Sequence, residues 1–303
     1  TLHLAGDYVQ SNSLLEQASL EVERLYTRTI RTETAAFLTN DTMLPYEGDP
    51  YEHVMINVVK ALNYAAMGQL MEAVVEARQI DHRLNVLSDS AKEKDGYRED
   101  AFARYLTGVL YEATGDLNNA FIAYRKAYEI YESTRGWART PMPPMLRADL
   151  LRTTDALHMT AEFEEYRRQF PDTGWVSLQG QPDLAQVVVI GYNGRAPRKE
   201  EVHLDIPVSL GALQLVLLNR GVIHASNRQE RRVADSVLYG LNGRVVRVAL
   251  PRLVPQKTQV SHESITLVPR NGEPITGQSQ LMYNGTALAE KSPVQAYLFG
   301  DGG

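Results

Sequence analysis

Seven histidines, at positions 3, 53, 82, 158, 203, 224 and 262, are the first side chains to test for chemistry. None stands at i, i+4 from another or at any metal-ligand spacing, so no metal and no cofactor is implied. Asp81-His82 falls on a long polar helix face and reads as solvated surface, because no apolar periodicity there demands burial. His224 and His262 fall in expected strands beside Ser226, Ser261 and Ser264. A hydrolase could draw Ser, His and Asp from such distant positions, but no Gly-x-Ser-x-Gly elbow exists, and ordinary polar strand residues are the favoured reading. Gly191-Tyr-Asn-Gly194 follows an apolar run yet lacks the third glycine and the following helix of a phosphate loop, and Pro197 argues for a turn. No catalytic residue is assigned. The absence of cysteine removes disulfides, thiolate metal sites and a Cys nucleophile together.

The chemistry left is recognition. Arg195, Arg198 and Lys199, with Arg228, Arg231 and Arg232, form two basic clusters. They read either as solvated faces or as a patch docking an acidic helical half, its own or a neighbour's. The charge is segregated: residues 1–180 carry 18 Lys+Arg against 27 Asp+Glu, and residues 181–303 carry 13 against 10. An acidic first half argues against nucleic acid, whose affinity rests on clustered cations. No apolar run reaches the roughly 18 residues of a membrane span. The chain starts at Thr1, which reads as processed or trimmed.

The elements that position these residues show in two copies of one helical-hairpin pattern. The better copy, from Ala101, places Gly108 and Tyr111 on a first helix, Gly115-Asp116 at a turn, and Ala120, Tyr124 and Ala127 on a second. The weaker copy, from Val54, has Ala61, Tyr64, Gly68-Gln69, Ala73 and Ala77 at the same offsets. This is tetratricopeptide spacing: small residues where helices cross, glycine where the chain turns left-handed, aromatics between. The copies are offset by 47 residues rather than about 34, which implies a lengthened second helix from about 70 to 88. Thr140-Pro-Met-Pro-Pro144 stops the second hairpin, and residues 145–157 and 161–170 form a degenerate third pair.

The expected fold class is α+β: a TPR-like stack over 1–180 (repeats about 54–87 and 101–134, degenerate pair 145–172), then a β-rich antiparallel domain over 181–303, sandwich- or barrel-like. Segments 187–190, 202–208, 213–218, 233–241, 245–250, 264–268 and 280–283 read as strands. All four Asn-Gly dipeptides, a two-residue hairpin signal, lie in that half.

Stacked hairpins leave a concave surface lined by their first helices. Here it holds Met55, Val58, Leu62 and Ala65, then Phe102, Tyr105, Val109 and Glu112, and it is apolar. Either another part of the chain covers it, with residues 14–31 favoured, or a partner's amphipathic helix lies in it. The candidate protein-binding groove is therefore Val58, Leu62, Phe102, Tyr105, Val109 and Glu112.

Several stretches resemble an uncharacterised family of bacterial TPR-containing lipoproteins. They are Tyr51-Glu-His-Val-Met-Ile-Asn57, Ala61-Leu-Asn-Tyr64, Glu76-Ala-Arg78, Glu99 through Leu106, Gly108 through Ala113, Ala123-Tyr-Arg-Lys-Ala127, Asp149-Leu-Leu-Arg152 and Asn193 through Glu200. The similarity runs from about 50 to 210, with Val248-Ala-Leu-Pro251 beyond it. The resemblance implies an exported lipoprotein of the periplasm or outer membrane, anchored through an N-terminal Cys that this chain does not contain. Such proteins look as if they travel with lipoproteins similar to curli-export-channel and penicillin-binding-protein-activator types. A non-enzymatic scaffold or assembly factor is the leading expectation, with proteins, envelope lipoproteins or copies of itself as partners. An envelope hydrolase and a cytoplasmic TPR adaptor are the alternatives.

Overall fold

The computed structural model describes residues 1–36, 48–90, 99–134, 140–178, 187–192, 198–207, 245–254, 256, 264–268, 273–278 and 297–299. The helices are α1 (Tyr8–Ala36), α2 (Pro50–Ala66), α3 (Leu70–Ser90), α4 (Ala101–Ala113), α5 (Leu117–Thr134), α6 (Pro144–Ala156) and α7 (Thr160–Gln169). The strands are β1 (Arg198–Pro207), β2 (Val245–Val254), β3 (Ser264–Leu267), β4 (Ile275–Gln278) and β5 (Tyr297–Phe299).

Local chemistry sets the helix starts. Pro50 opens α2 at a position that needs no N–H, and the Asp49 N–H donates to Glu52 Oε2 at 2.8 Å. Asp100 caps α4 by accepting from the Ala103 N–H at 2.9 Å. Pro144 opens α6.

The turns repeat one device. Gly68 and Gly115 take φ of +75° and +82°, and the N–H of the next residue returns to the carbonyl five positions back: Gln69 to Tyr64 and Asp116 to Tyr111, both 2.9 Å. The third hairpin closes identically, Met159 N–H to Thr154 O at 2.9 Å, but its left-handed residue is His158, φ +57°. A conformation natural to glycine is thus forced on a residue with a Cβ.

Helices α2–α3, α4–α5 and α6–α7 pack as hairpins, and α3 on α4 and α5 on α6 join them into a TPR-like stack. The core runs down its middle. Val54, Val58, Ala61, Ala73, Ala77, Ile80, Leu84, Ala103, Ala120, Ala127, Leu146, Leu150 and Leu151 are fully buried. Gly108 is required: a Cβ there would lie 2.4 Å from the Tyr124 ring.

The chain divides into two compact units. One gathers Thr1–Val22, Gly48–Pro197 and Pro255–Ser292; the other gathers Glu23–Glu47, Arg198–Val254 and Pro293–Gly303. In the second unit β1, β2 and β5 form an antiparallel sheet in that order, with Val202 opposite Leu250 and Val248 opposite Leu298. In the first, β3 and β4 form a two-stranded antiparallel ladder. The expected strands at 213–218, 233–241 and 280–283, and all four Asn-Gly turns, lie outside the described residues. Residues 187–190 are described and form no strand.

Candidate functional site: a groove on the helical stack and the segment across it

Phe102, Tyr105, Leu106 and Val109 share one face of α4, since steps of three and four return to the same side of a helix. With Met145 of α6 they line a recess of about 140 Å³ whose remaining wall is residues 187–190, Val-Val-Val-Ile. Three of the six expected groove residues, Phe102, Tyr105 and Val109, are therefore brought together. The others are not on this surface. Val58 is fully buried between helices, Leu62 is half-buried on α2, and Glu112 belongs to an ion cluster described next. Val58 and Tyr105 are buried, so the α2–α4 concave face is not the open surface that hairpin geometry alone suggests.

Residues 187–190 line the recess beside Phe102 and Val109, whereas residues 14–22, the part of the expected cover that lies in this unit, do not. The described part of α1 within the same unit instead meets α2 and α3 through polar side chains. Asn63 Nδ2 donates to Ser11 Oγ at 3.0 Å and to Asn12 Oδ1 at 2.7 Å. Lys60 bridges Glu16 at 2.6 Å and Glu76 at 2.8 Å. Burial alone would lower the Lys60 pKa, but the hydrogen bonds it donates to both carboxylates outweigh it and hold the group above the ordinary lysine value. Arg83 reaches Asn57 at 2.6 Å and Ser19 at 2.5 Å. Leu14 and Leu20 point to solvent.

Beneath the recess lies a polar floor. Tyr105 O–H donates to Asp149 Oδ2 at 2.7 Å. Arg152 donates to Asp149 Oδ1 at 2.7 Å and, through two nitrogens, to both Glu112 oxygens at 2.8 Å each. Tyr124 O–H completes the cluster on Glu112 at 2.7 Å. One guanidinium thus serves two buried carboxylates from α4 and α6, with a phenol on each. Burial pushes Asp149 above the usual carboxylate range despite Arg152 and Tyr105. Burial, and then Asp149, push both phenols far up, so each is a fixed neutral donor. The cluster is internally satisfied and rigid. It positions Tyr105 as part of the wall rather than as a reacting group.

Two further contacts frame the site. The segment's far end is held where His3 Nε2 meets Tyr192 Oη at 2.8 Å, while His3 Nδ1 meets Asn63 Oδ1 at 2.5 Å. Arg104, fully buried in α4, is clamped by Asp81 and Asn85 of α3 and by Glu99. Asp81 is thus an ion-pair partner rather than solvated, whereas His82 is exposed.

Elsewhere, Glu200 pairs with Arg198 on the same strand and with Arg252 across the β1–β2 ladder, the latter at 3.3 Å. Hydrogen bonds from Arg198 and then Arg252 hold Glu200 below the ordinary carboxylate value. Lys199 lies on β1, and Arg195, Arg228, Arg231, Arg232, His224, Ser226, Ser261 and His262 lie outside the described residues. Among the described residues no group of three or more His, Cys, Asp or Glu side chains is arranged to hold a metal ion.

Sequence reading missed the buried charges. The signal was present in Arg104, inside the apolar run Ala103 to Leu106, and in Asp149 and Arg152 at i, i+3, but periodicity alone names no partners for them.

No protein-family model matches the chain, and no curated protein matches it. Among solved structures, a protein of Podosopora anserina, described as having nearly identical kinesin-light-chain TPR-like repeats, is similar. It matches at 16% identity and a TM-score of 0.33, covering 54% of this chain and 73% of that one. So loose a superposition carries no argument. The hairpin stack stands on this chain's own turns and contacts.

Proposed function

We propose that this chain is a non-enzymatic protein-binding scaffold, and that the α4–α6 recess is where its helical half holds an apolar segment of a partner. The observation that carries the reading is the apolar recess of about 140 Å³ that Phe102, Val109 and Met145 enclose with residues 187–190. A recess walled by apolar side chains on both sides has the chemistry for an apolar peptide segment. The second half, with its antiparallel ladders, serves as a β-rich domain docking another protein, through Arg198 and Lys199 if the partner is acidic. A place in the bacterial envelope as an assembly lipoprotein rests on the sequence resemblance alone, and no helix among the described residues is long and apolar enough to cross a membrane.

Capture from bacterial envelope fractions tests the reading. Phe102→Ala should lose the proteins that the wild-type chain retains, with a melting midpoint close to wild type because Phe102 is only half-buried. An unchanged captured set would remove the recess from the function.

A further inference from the structure

Asn57, Lys60 and Asn63 recur every three residues along α2, so they share the side of that helix that meets α1, with Arg83 of α3 beside them. The α2–α3 hairpin fixes this face by its own contacts. Lys60 Nζ meets Glu76 at 2.8 Å, Asn57 Nδ2 donates to Glu76 Oε2 at 2.7 Å, and Arg83 Nε donates to Asn57 Oδ1 at 2.6 Å. Lys60 Nζ, Asn63 Nδ2 and Arg83 Nη2 then offer a row of donors to α1, which answers with acceptors. Glu16 Oε2 takes Lys60 at 2.6 Å, Ser19 Oγ takes Arg83 at 2.5 Å, and Ser11 Oγ and Asn12 Oδ1 take Asn63 at 3.0 and 2.7 Å. Hydrogen bonds traded between protein and water nearly balance, so undocking these polar faces costs less than parting the apolar core of the hairpins. Asn12 Nδ2 adds a cost to docking, because it is buried with no hydrogen-bond partner among the described residues.

We propose that this face of α2–α3 is a helix-recognition site that reads the acceptor pattern of α1, and that the α1 of a second copy takes the seat in exchange for the resident one. Charge complementarity sets the choice. Lys60 and Arg83 present two cations to one carboxylate and one hydroxyl of α1, spaced three residues apart at Glu16 and Ser19. A second copy carries the same pattern, so exchange trades each contact for its equivalent, the low-cost route to a dimer. The seat uses no residue of the recess at Phe102 and Val109, and the scaffold reading stands or falls separately.

The test uses the full chain and a fluorescein-labelled peptide of residues 1–22, followed by anisotropy and by sedimentation. One substitution should act with opposite sign on the two sides. Glu16→Gln in the chain loosens the resident helix, so the wild-type peptide should bind about fivefold tighter. Glu16→Gln in the peptide should weaken its binding to the wild-type chain about fivefold, and this arm needs no variant chain. The variant chain keeps Lys60 paired with Glu76, so the seat remains intact, and a melt checks it. Phe102→Ala should leave peptide binding unchanged. The concentrated wild-type chain should sediment as a dimer that excess peptide converts to monomer. Three results would overturn the proposal. No peptide binding to either chain would make α1 a fixed part of the stack. Shifts of the same sign in the two Glu16→Gln experiments would place the peptide elsewhere on the chain. Opposite shifts in a chain that stays monomeric at every concentration would give the seat to a helix of another protein.

Discussion

His158 does the work of a glycine. It occupies the left-handed position that Gly68 and Gly115 fill in the other two turns, with the same backbone closure around it. An L-residue there carries roughly 1–2 kcal/mol of strain, part of which glycine would return as lost chain entropy on folding. His158→Gly should therefore stabilise the third hairpin by about 0.5–1 kcal/mol, while Gly115→Ala should destabilise the second. Melting midpoints moving in opposite directions check this, and equal shifts would deny the equivalence of the turns. At Arg152 the stakes are larger. Arg152→Met leaves Glu112 and Asp149 buried with no cation, a loss of about 3–5 kcal/mol. Asp149 also fixes a pH dependence. Its folded pKa is raised, so the folded state binds the proton more readily than the unfolded chain. The stability it contributes is present below the ordinary aspartate value and is lost as pH rises through the raised one. Asp149→Asn should flatten that decline in chemical-denaturation curves taken across the acid range. A decline unchanged in Asp149→Asn would assign it to another group.

At the scale of elements, helix type and turn position were legible because both depend on near neighbours in sequence. Gly68, Gly115 and the proline break near Pro143 are local signals, and α3 is long, as the wide offset between the two copies required. What filled the groove was not legible. Residues 187–190 read as a strand by composition, yet they join no ladder and line the recess beside α4 and α6, a placement that local propensity does not specify. Helix α1 misled for a related reason. Its leucines look like a core stripe, but the α2–α3 face it meets carries Asn57, Lys60, Asn63 and Arg83, so Ser11, Asn12 and Ser19 go inward. Gly108 marks where sequence and packing agree. Gly108→Ala drives a methyl into the Tyr124 ring and should cost about 1–3 kcal/mol. A neutral result would show that the α4–α5 crossing relaxes freely.

The whole helical stack is quasi-one-dimensional, so its stability is distributed by neighbours rather than by a single centre. The α4–α5 hairpin is packed on both sides, against α3 and against α6. The α6–α7 hairpin meets the stack from one side, through α6 on α5 and through the Tyr166 and Phe170 rings against Tyr128 of α5, and it carries the strained turn at His158. Its polar link to the middle is the Arg152 bridge from α6 to Glu112, with Tyr105 donating to Asp149. Amide hydrogen exchange should therefore show the slowest opening in α4 and α5 and faster opening in α7, because local unfolding starts where fewest packed neighbours must be lost. In Arg152→Met the difference should widen. Protection in α6 and α7 should fall first, and α4 should follow only where Tyr105 loses its acceptor's support. If protection is uniform from α2 to α7 and falls everywhere together in Arg152→Met, the stack unfolds as one cooperative body, and the hairpins are not separable units of stability.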